Sequence, residues 1–269
     1  MEPELVNFEK FLIIASKKDL AGINITTQLS QFGNYKFYLT EREIVDDFGF
    51  DMEKISQFDF IIFASKHQSK EQVKTLSVHT PGNWRQNDFG GVPEKICPAS
   101  ALFLKQSFQK LKQNAEKFNL KNYQVTLECT HHGPLINKPC IFIEIGATEN
   151  EWKDRKAGFV VAKTIAEIIE EFRPNKYNEI AIAIGGPHYC PNFNSIQLNS
   201  NFAISHIIPL YALPLKEEMI KEAIAKTIED IDLVIIDWKG LGNSEQRKQV
   251  LEILDKLYIR YKRTSEIKK

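Results

Sequence analysis

Residues 128–134, ECTHHGP, set an acid, a thiol, a hydroxyl and two adjacent imidazoles between an apolar, β-branched run and a Gly-Pro breaker. Residues in that position are presented on a loop at a strand end. Glu128, His131 and His132 are of the types that move protons or hold metals, and a hydrophobic core has little use for them together. The bland reading of a histidine pair is one structural hydrogen-bonder and one exposed ring. Four further histidines, His67, His79, His188 and His206, shift the balance toward chemistry. Three imidazoles from separate loops, or two with a carboxylate, bind zinc and leave a position open for water. The candidate ligands are His131, His132, His188 and Glu144, with His79 as a further option. Adjacent side chains diverge, which argues against His131 and His132 sharing one ion, and no HExxH is present. Without a metal, a histidine near its ordinary pKa serves as base on water, with an Asn or backbone N–H groups at the oxyanion.

Three other polar stretches offer substrate contacts. SKHQS contributes Ser65 and His67, and HTPGNW contributes His79 and Asn83, types that orient a water or a carbonyl. GGPHY places Gly185 and Gly186 where backbone N–H groups can approach an anion or carbonyl, with Tyr189 beside them. A simple tight turn explains GGPHY equally well, and GxxxxGK[ST] is absent.

These residues need a scaffold. Apolar runs of strand length occur at residues 10–16, 35–39, 58–64, 123–129, 140–145, 179–184, 202–208 and 231–237. Between them, 3.6-residue periodicity predicts helices over 98–118, from Thr148 or Asn150 to 172, over 216–228 and over 244–261. The alternation predicts an α/β fold: a mixed, mostly parallel sheet with helices on both faces. Ligands of such sheets bind beyond the carboxyl ends of strands. His67, His131, His132 and His188 all fall just after predicted strands, His79 lies in the long loop 78–94, and only His206 sits inside a strand. One common cleft is expected, in a single compact unit over 1–269 with room for two subdomains sharing that cleft.

Hydrophobic residues make up 43% of the chain, enough for a sizeable core. No apolar run reaches the roughly 18 residues of a membrane span. The acidic N-terminus lacks a signal-peptide cleavage pattern, so a cytoplasmic protein with no membrane partner is expected. Four cysteines without CxxC spacing indicate neither a zinc ribbon nor a disulfide framework. The 35 basic and 35 acidic residues cancel, which excludes nucleic-acid binding by bulk charge but leaves local patches. Lys256, Arg260, Lys262 and Arg263 form one such patch. Lys105, Lys110, Lys112, Lys117 and Lys121 form another on a helix, with a solvated helix face as the plain alternative for both.

ASKHQS, VHTPGNW, ECTHHGP, EIGATENEW, GGPHY and SHIIP, in this order over about residues 64–209, resemble the D-aminoacyl-tRNA deacylases of the archaeal and plant class. The resemblance implies hydrolysis of the ester between a D-amino acid and the 3′ end of tRNA, dependence on zinc, and an α/β fold related to peptidyl-tRNA hydrolase and phosphorylase-like enzymes. It also implies tRNA as partner, for which the basic patch of Lys256, Arg260, Lys262 and Arg263 is the candidate surface by charge; a monomer is expected. An activated ester needs no GxSxG nucleophile, and none is found. A Cys129–His nucleophile is a weaker option. The competing classes are a metal-dependent peptidase or amidase, and a non-catalytic tRNA-binding module.

Overall fold

Among the described residues of the computed structural model (6–46, 49–69, 72–87 and 89–268), the expected mixed sheet is divided in two. Strands β1 (Phe11–Ser16), β2 (Phe37–Thr40), β3 (Phe60–Gln68), β4 (Thr75–His79), β5 (Gln124–Leu127) and β6 (Cys140–Ala147) form a six-stranded sheet in the order β2-β1-β3-β6-β4-β5. Only the β4–β6 pairing is antiparallel. Strands β7 (Glu179–Ile184), β8 (Phe202–Ile208), β9 (Leu233–Ile236) and β10 (Tyr261–Arg263) form a parallel second sheet in the order β10-β9-β7-β8.

Alternation along the strands assigns the faces. In the first sheet Ile13, Ala15, Ile62, Ala64, Leu76, Val78, Ile143 and Ile145 look toward α1 (Leu20–Leu29), α3 (Ala101–Lys117) and α5 (Arg155–Glu171). Ala181, Ala183, Ile204, Ile207, Leu233 and Ile235 of the second sheet enter the same core, over α3 and α6 (Pro191–Asn199). The opposite face of the second sheet buries Ile182, Ile184, Ile208, Val234 and Ile236 under α7 (Glu217–Ala225) and α8 (Ser244–Lys256). On the opposite face of the first sheet Leu12, Ile14, Ile61, Phe63 and Phe142 pack beneath the short α2 (Met52–Ser56) and loop residues Ile44, Cys97 and Ile136. No helix of the described residues is long and apolar enough to cross a membrane.

Capping moves several predicted boundaries. Ser100, not Pro98, starts α3: its hydroxyl accepts from Phe103 N, and the Glu229 carboxylate accepts from Ala101 N and Leu102 N. The helix expected to run unbroken to residue 172 stops at α4 (Glu149–Trp152), because the Asp154 side chain accepts from Lys156 N and Ala157 N and opens α5 afresh. The C-terminal helix ends at Lys256, and the chain returns as edge strand β10. Strand β4 and helix α6 fall where loops were expected. Residues 75–79 (TLSVH) do alternate polar and apolar, but the run is short and its polar side chains are buried with the apolar ones.

The basic stripe expected on α3 loses a member. Lys105 is only 5% exposed, and its ammonium donates to Gln197 O, Ser200 O and Phe202 O at 2.6, 2.9 and 2.9 Å, closing the C-terminal end of α6. Replacing it by Met keeps the apolar stem but strands three carbonyls. Lys105→Met should therefore lower stability by about 3 kcal/mol in urea titration; a change within about 0.5 kcal/mol would show that water satisfies those carbonyls.

Candidate active site

Strand register builds the first half of the site. β3 and β4 flank β6, with Ser65 and Ser77 opposite Glu144, His67 opposite Gly146 and His79 opposite Phe142. Ladder partners, and residues two apart, share a face. His67, His79 and Glu144 therefore rise from the same face, beyond the apolar floor of Phe63 and Phe142. His67 lies within β3 rather than after it, and His79 ends β4 rather than occupying the long loop.

The second half is the loop after β5, which is tied to the other sheet. Cys129 N donates to His188 O at 3.0 Å, Thr130 N donates to Ile207 O at 3.1 Å, and Ile207 N returns a bond to the Thr130 hydroxyl at 3.1 Å. Gly82 N reaches the carbonyls of His131 and His132 at 3.1 and 2.7 Å. His132 takes φ +45°, the left-handed region. That turn overrides the expected divergence of adjacent side chains, bringing the His131 and His132 rings to a centroid separation of 4.3 Å.

The hydrogen-bond pattern fixes the tautomers. Nδ1 of His131 lies 2.8 Å from Cys129 O, Nδ1 of His132 lies 2.6 Å from Gly133 O, and Nδ1 of His79 lies 3.3 Å from Thr80 O. A carbonyl only accepts, so in each neutral ring the proton is assigned to Nδ1 and Nε2 keeps its lone pair. These lone pairs point inward. The ligand atoms of His79, His131 and His132 lie within 4.8 Å of one another, as do those of His79, Glu128 and Glu144. His131 Nε2 is 3.4 Å from Glu128 Oε2, His79 Nε2 is 3.8 Å from Glu144 Oε2, and His132 Nε2 is 4.0 Å from Glu144 Oε1. His79 Nε2 and Glu128 Oε1 are buried without a hydrogen-bond partner. Acceptors facing acceptors repel, and backbone-oriented imidazoles with carboxylates are the donor set that a divalent cation neutralises. Cys129, His131 and His188 form a neighbouring donor group, so His131 is common to two.

Two histidines carry the opposite charge preference. His67 Nδ1 sits 3.2 Å from Glu128 Oε1, out of hydrogen-bond alignment, and 3.5 Å from Glu144 Oε2; its Nε2 meets the Tyr189 hydroxyl at 2.9 Å. Burial opposes its protonation, yet the two carboxylates push its pKa up to about 12. His188 has Nε2 at 3.1 Å from Glu128 Oε2 and Nδ1 at 3.4 Å from Cys129 Sγ; against burial, these two neighbours push it up to about 10. Burial, reinforced by the neighbouring imidazoles, holds His131 below the usual range and His132 down at about 4. Glu128 and Glu144 are desolvated, but His188 and His67 keep the first ionised, and His67 and His79 the second.

Two cavities of about 720 and 930 Å³ meet at His188 and Tyr211. The Tyr211 hydroxyl lies 2.9 Å from Cys129 Sγ. Nothing in the sequence around Tyr211 marked it, since only the chain's return after β8 brings it here. Cys129 carried a signal as a nucleophile, but its geometry is that of a donor beside His131 and His188.

Other candidates are placed differently. Ser65 is buried and gives its hydroxyl proton to Asp19 Oδ2 at 3.1 Å, so it serves the fold and not a substrate. The Gly185 and Gly186 amides are consumed by Ile208 O and Gly240 O, at 2.8 and 3.0 Å. They offer no N–H to a ligand, although Gly186 and Tyr189 line the second cavity. Asn83 lines the first cavity, with its amide donating to Gly90 O at 2.9 Å. His206 is buried against Trp84, which pushes its pKa down to about 4. The C-terminal cations sit on and near edge strand β10, at the other edge from β8. There Lys256 pairs with Glu217 at 2.6 Å and Lys262 with Glu179 at 3.7 Å. Arg260 donates to Asp232 O at 3.1 Å, and Arg263 lies 3.8 Å over the Trp238 ring.

If convergent lone pairs are the defining strain, metal-free and metal-loaded protein should respond oppositely to losing one. Saturating zinc or cobalt(II), at about 100 times its dissociation constant, should stabilise wild type by about 3 kcal/mol. His131→Ala should lose most of that gain while costing little in metal-free protein, as thermal unfolding can show. Equal destabilisation of both forms would make His131 a packing residue.

A family model described as D-aminoacyl-tRNA deacylase matches residues 54–262. The chain is 34% identical over 249 residues to the D-aminoacyl-tRNA deacylase of Methanocaldococcus jannaschii, covering 90% of this chain and 94% of that protein. It is 35% identical to the protein of the same name from Methanosarcina mazei, covering 99% and 96%. Its fold is similar to that of a crystal structure described as a conserved protein of unknown function, AF0625, with a TM-score of 0.87, 30% identity and 96% of each chain covered. These matches run through all the strands that carry the imidazole cluster, and the chain belongs to the D-aminoacyl-tRNA deacylase family.

Proposed function

We propose that this chain hydrolyses the ester bond of D-aminoacyl-tRNA, releasing the D-amino acid and free tRNA, at the cluster of His79, Glu128, His131, His132, Glu144 and His188. The observation that carries the reading is the set of inward lone pairs at the junction of two cavities. An aminoacyl ester has a large group on each side of its carbonyl, and two cavities meeting at the reactive groups suit that shape.

The donor set suits zinc, held by His131 and His132 with His79 and Glu144 and with Cys129 alongside, while the charged His188 is left free for proton transfer. When bound it would polarise the ester carbonyl and lower the pKa of water. The chain's own groups then have separable tasks. Glu128 Oε1, buried and accepting no hydrogen bond although His67 lies 3.2 Å away, accepts the proton of the attacking water. His188, held charged by Glu128 and with its side chain 32% exposed, donates from Nδ1 to the ribose oxygen as the carbon–oxygen bond breaks. Its Nε2 proton stays directed at Glu128 Oε2 throughout, and the emptied Nδ1 is reprotonated through solvent as Glu128 releases the proton taken from water. His67, charged between the two carboxylates, keeps them in place. The wall formed by Gly186, Pro187 and Tyr189 in the second cavity is placed to reject one enantiomer by contact.

Incubation with labelled D- and L-aminoacyl-tRNA, with and without chelator, tests this reading. Expected is hydrolysis of the D-substrate, by a factor of about 10² or more over the L-substrate, abolished by chelation and restored by zinc. Hydrolysis independent of tRNA would favour a peptidase or amidase, and binding without turnover a tRNA-binding module.

The acceptor stem is proposed to lie along Lys256, Arg260, Lys262 and Arg263. Arg260 and Arg263 have no carboxylate partner among the described residues, whereas Lys256 and Lys262 are paired. Neutralising Arg260 and Arg263 should reduce the slope of log binding constant against log salt by about 1 to 2, and neutralising the two lysines should change it less. A slope unaltered by all four substitutions would move the tRNA surface elsewhere.

A further inference from the structure

Phe89 is 73% exposed and stands at the mouth of the 720 Å³ cavity. Its backbone is nonetheless firmly held. Gly133 N donates to Phe89 O at 3.1 Å, Asn83 Nδ2 to Gly90 O at 2.9 Å, and Asn87 Nδ2 to Gly91 O at 3.1 Å. Gly90 and Gly91 follow with φ of +71° and +78°, packed so closely that an added Cβ would lie 1.9 Å from Val45 O and 2.5 Å from Asn83 Nδ2. The loop is clamped onto the residue that follows His132, and the ring is held out at the rim of the 720 Å³ cavity that His131, His132 and His188 also line.

Trp84, Pro93 and Ala212 give that cavity an apolar wall, and Gln86 and Glu94 line it as well. Arg85 contributes a guanidinium. Nε of Arg85 donates to Ala212 O at 2.7 Å and Nη2 to Pro214 O, which leaves Nη1 without a partner among the described residues. A flat apolar platform, an oriented guanidinium and a volume of this size fit a nucleotide: the base on the ring, the phosphate toward Arg85. The second cavity is lined instead by Gln68, Gln124, Tyr189 and Gly186, with no guanidinium comparable to that of Arg85 among the described residues that line it.

We propose that Phe89 is the stacking platform for the 3′-terminal adenosine of tRNA, so that the 720 Å³ cavity takes the nucleoside and the other takes the amino acid. This rests on the deacylase reading for the identity of the nucleotide, though the nucleotide site itself can be tested without catalysis. Adenosine 5′-monophosphate, which carries the base and phosphate of that terminal residue, is the probe. It should bind metal-loaded wild type in calorimetry, about tenfold more weakly to Phe89→Ala, and with near-wild-type affinity to Phe89→Trp. Absence of binding, or binding indifferent to Phe89→Ala, overturns the proposal. On intact substrates, Phe89→Ala should lower kcat/KM by the same factor, about tenfold, for D-tyrosyl-tRNA and D-alanyl-tRNA. A loss confined to D-tyrosyl-tRNA would put the amino-acid side chain on the ring and sink the assignment. Wild type that binds the nucleotide through Phe89 yet hydrolyses neither ester would retire the deacylase reading and leave the nucleotide site standing.

Discussion

Three imidazole lone pairs aimed at one another and at two buried carboxylates are an arrangement that a protein does not adopt for its own stability. Glu128 and Glu144 are 1% and 2% exposed, and removing each charge from water costs several kcal/mol before any partner is counted. A proton on His67 offsets part of this, because its ring sits between both carboxylates. It leaves His79 Nε2 without a partner, and Glu128 Oε1, although 3.2 Å from the His67 ring, receives no hydrogen bond. Backbone carbonyls hold the Nδ1 side of each ring, so the rings cannot turn their donors inward to relieve the repulsion. The cluster is a preorganised donor set that could hold a metal ion.

Such a cluster persists only where the scaffold over-determines it. Here two sheets share one core through α3 and α6, and the loop that carries Glu128 to His132 is bonded to both. Asn194 of α6 accepts from Leu127 N and donates to Thr126 Oγ1, so the end of edge strand β5 is held as well. Cys129 and Thr130 are then pinned to the second sheet. Shifting that loop would break backbone bonds on both sides at once, which is why the left-handed turn at His132 is maintained. The cleft and the junction of the two sheets are the same feature.

Periodicity made the strands and long helices legible, because burial on one face writes a pattern into the local sequence. It failed where a run was too short to stand out or capping intervened. Strand β4 alternates over only five residues before Thr80, Pro81 and Gly82, and α4 separates from α5 through one Asp154 carboxylate. The charged Lys105 read as surface, yet three carbonyls of a distant segment enclose it.

For the site, residue types and their order along the chain were enough to single out Glu128, His131, His132, His188 and Glu144 and to place them in one family. Chemistry of this kind depends on functional groups, and those are written directly in the sequence. Which groups face each other was not written there. That His67 is an internal strand residue between two carboxylates, that Ser65 serves Asp19, that Gly185 and Gly186 have spent their amides, and that Tyr211 reaches Cys129 all follow from ladder register and from the docking of two sheets. A one-residue slip of β3 or β4 against β6 would send His67 or His79 to the opposite face. Register is settled by the burial of whole sheets against their helices, so only the tertiary structure decides which lone pairs converge.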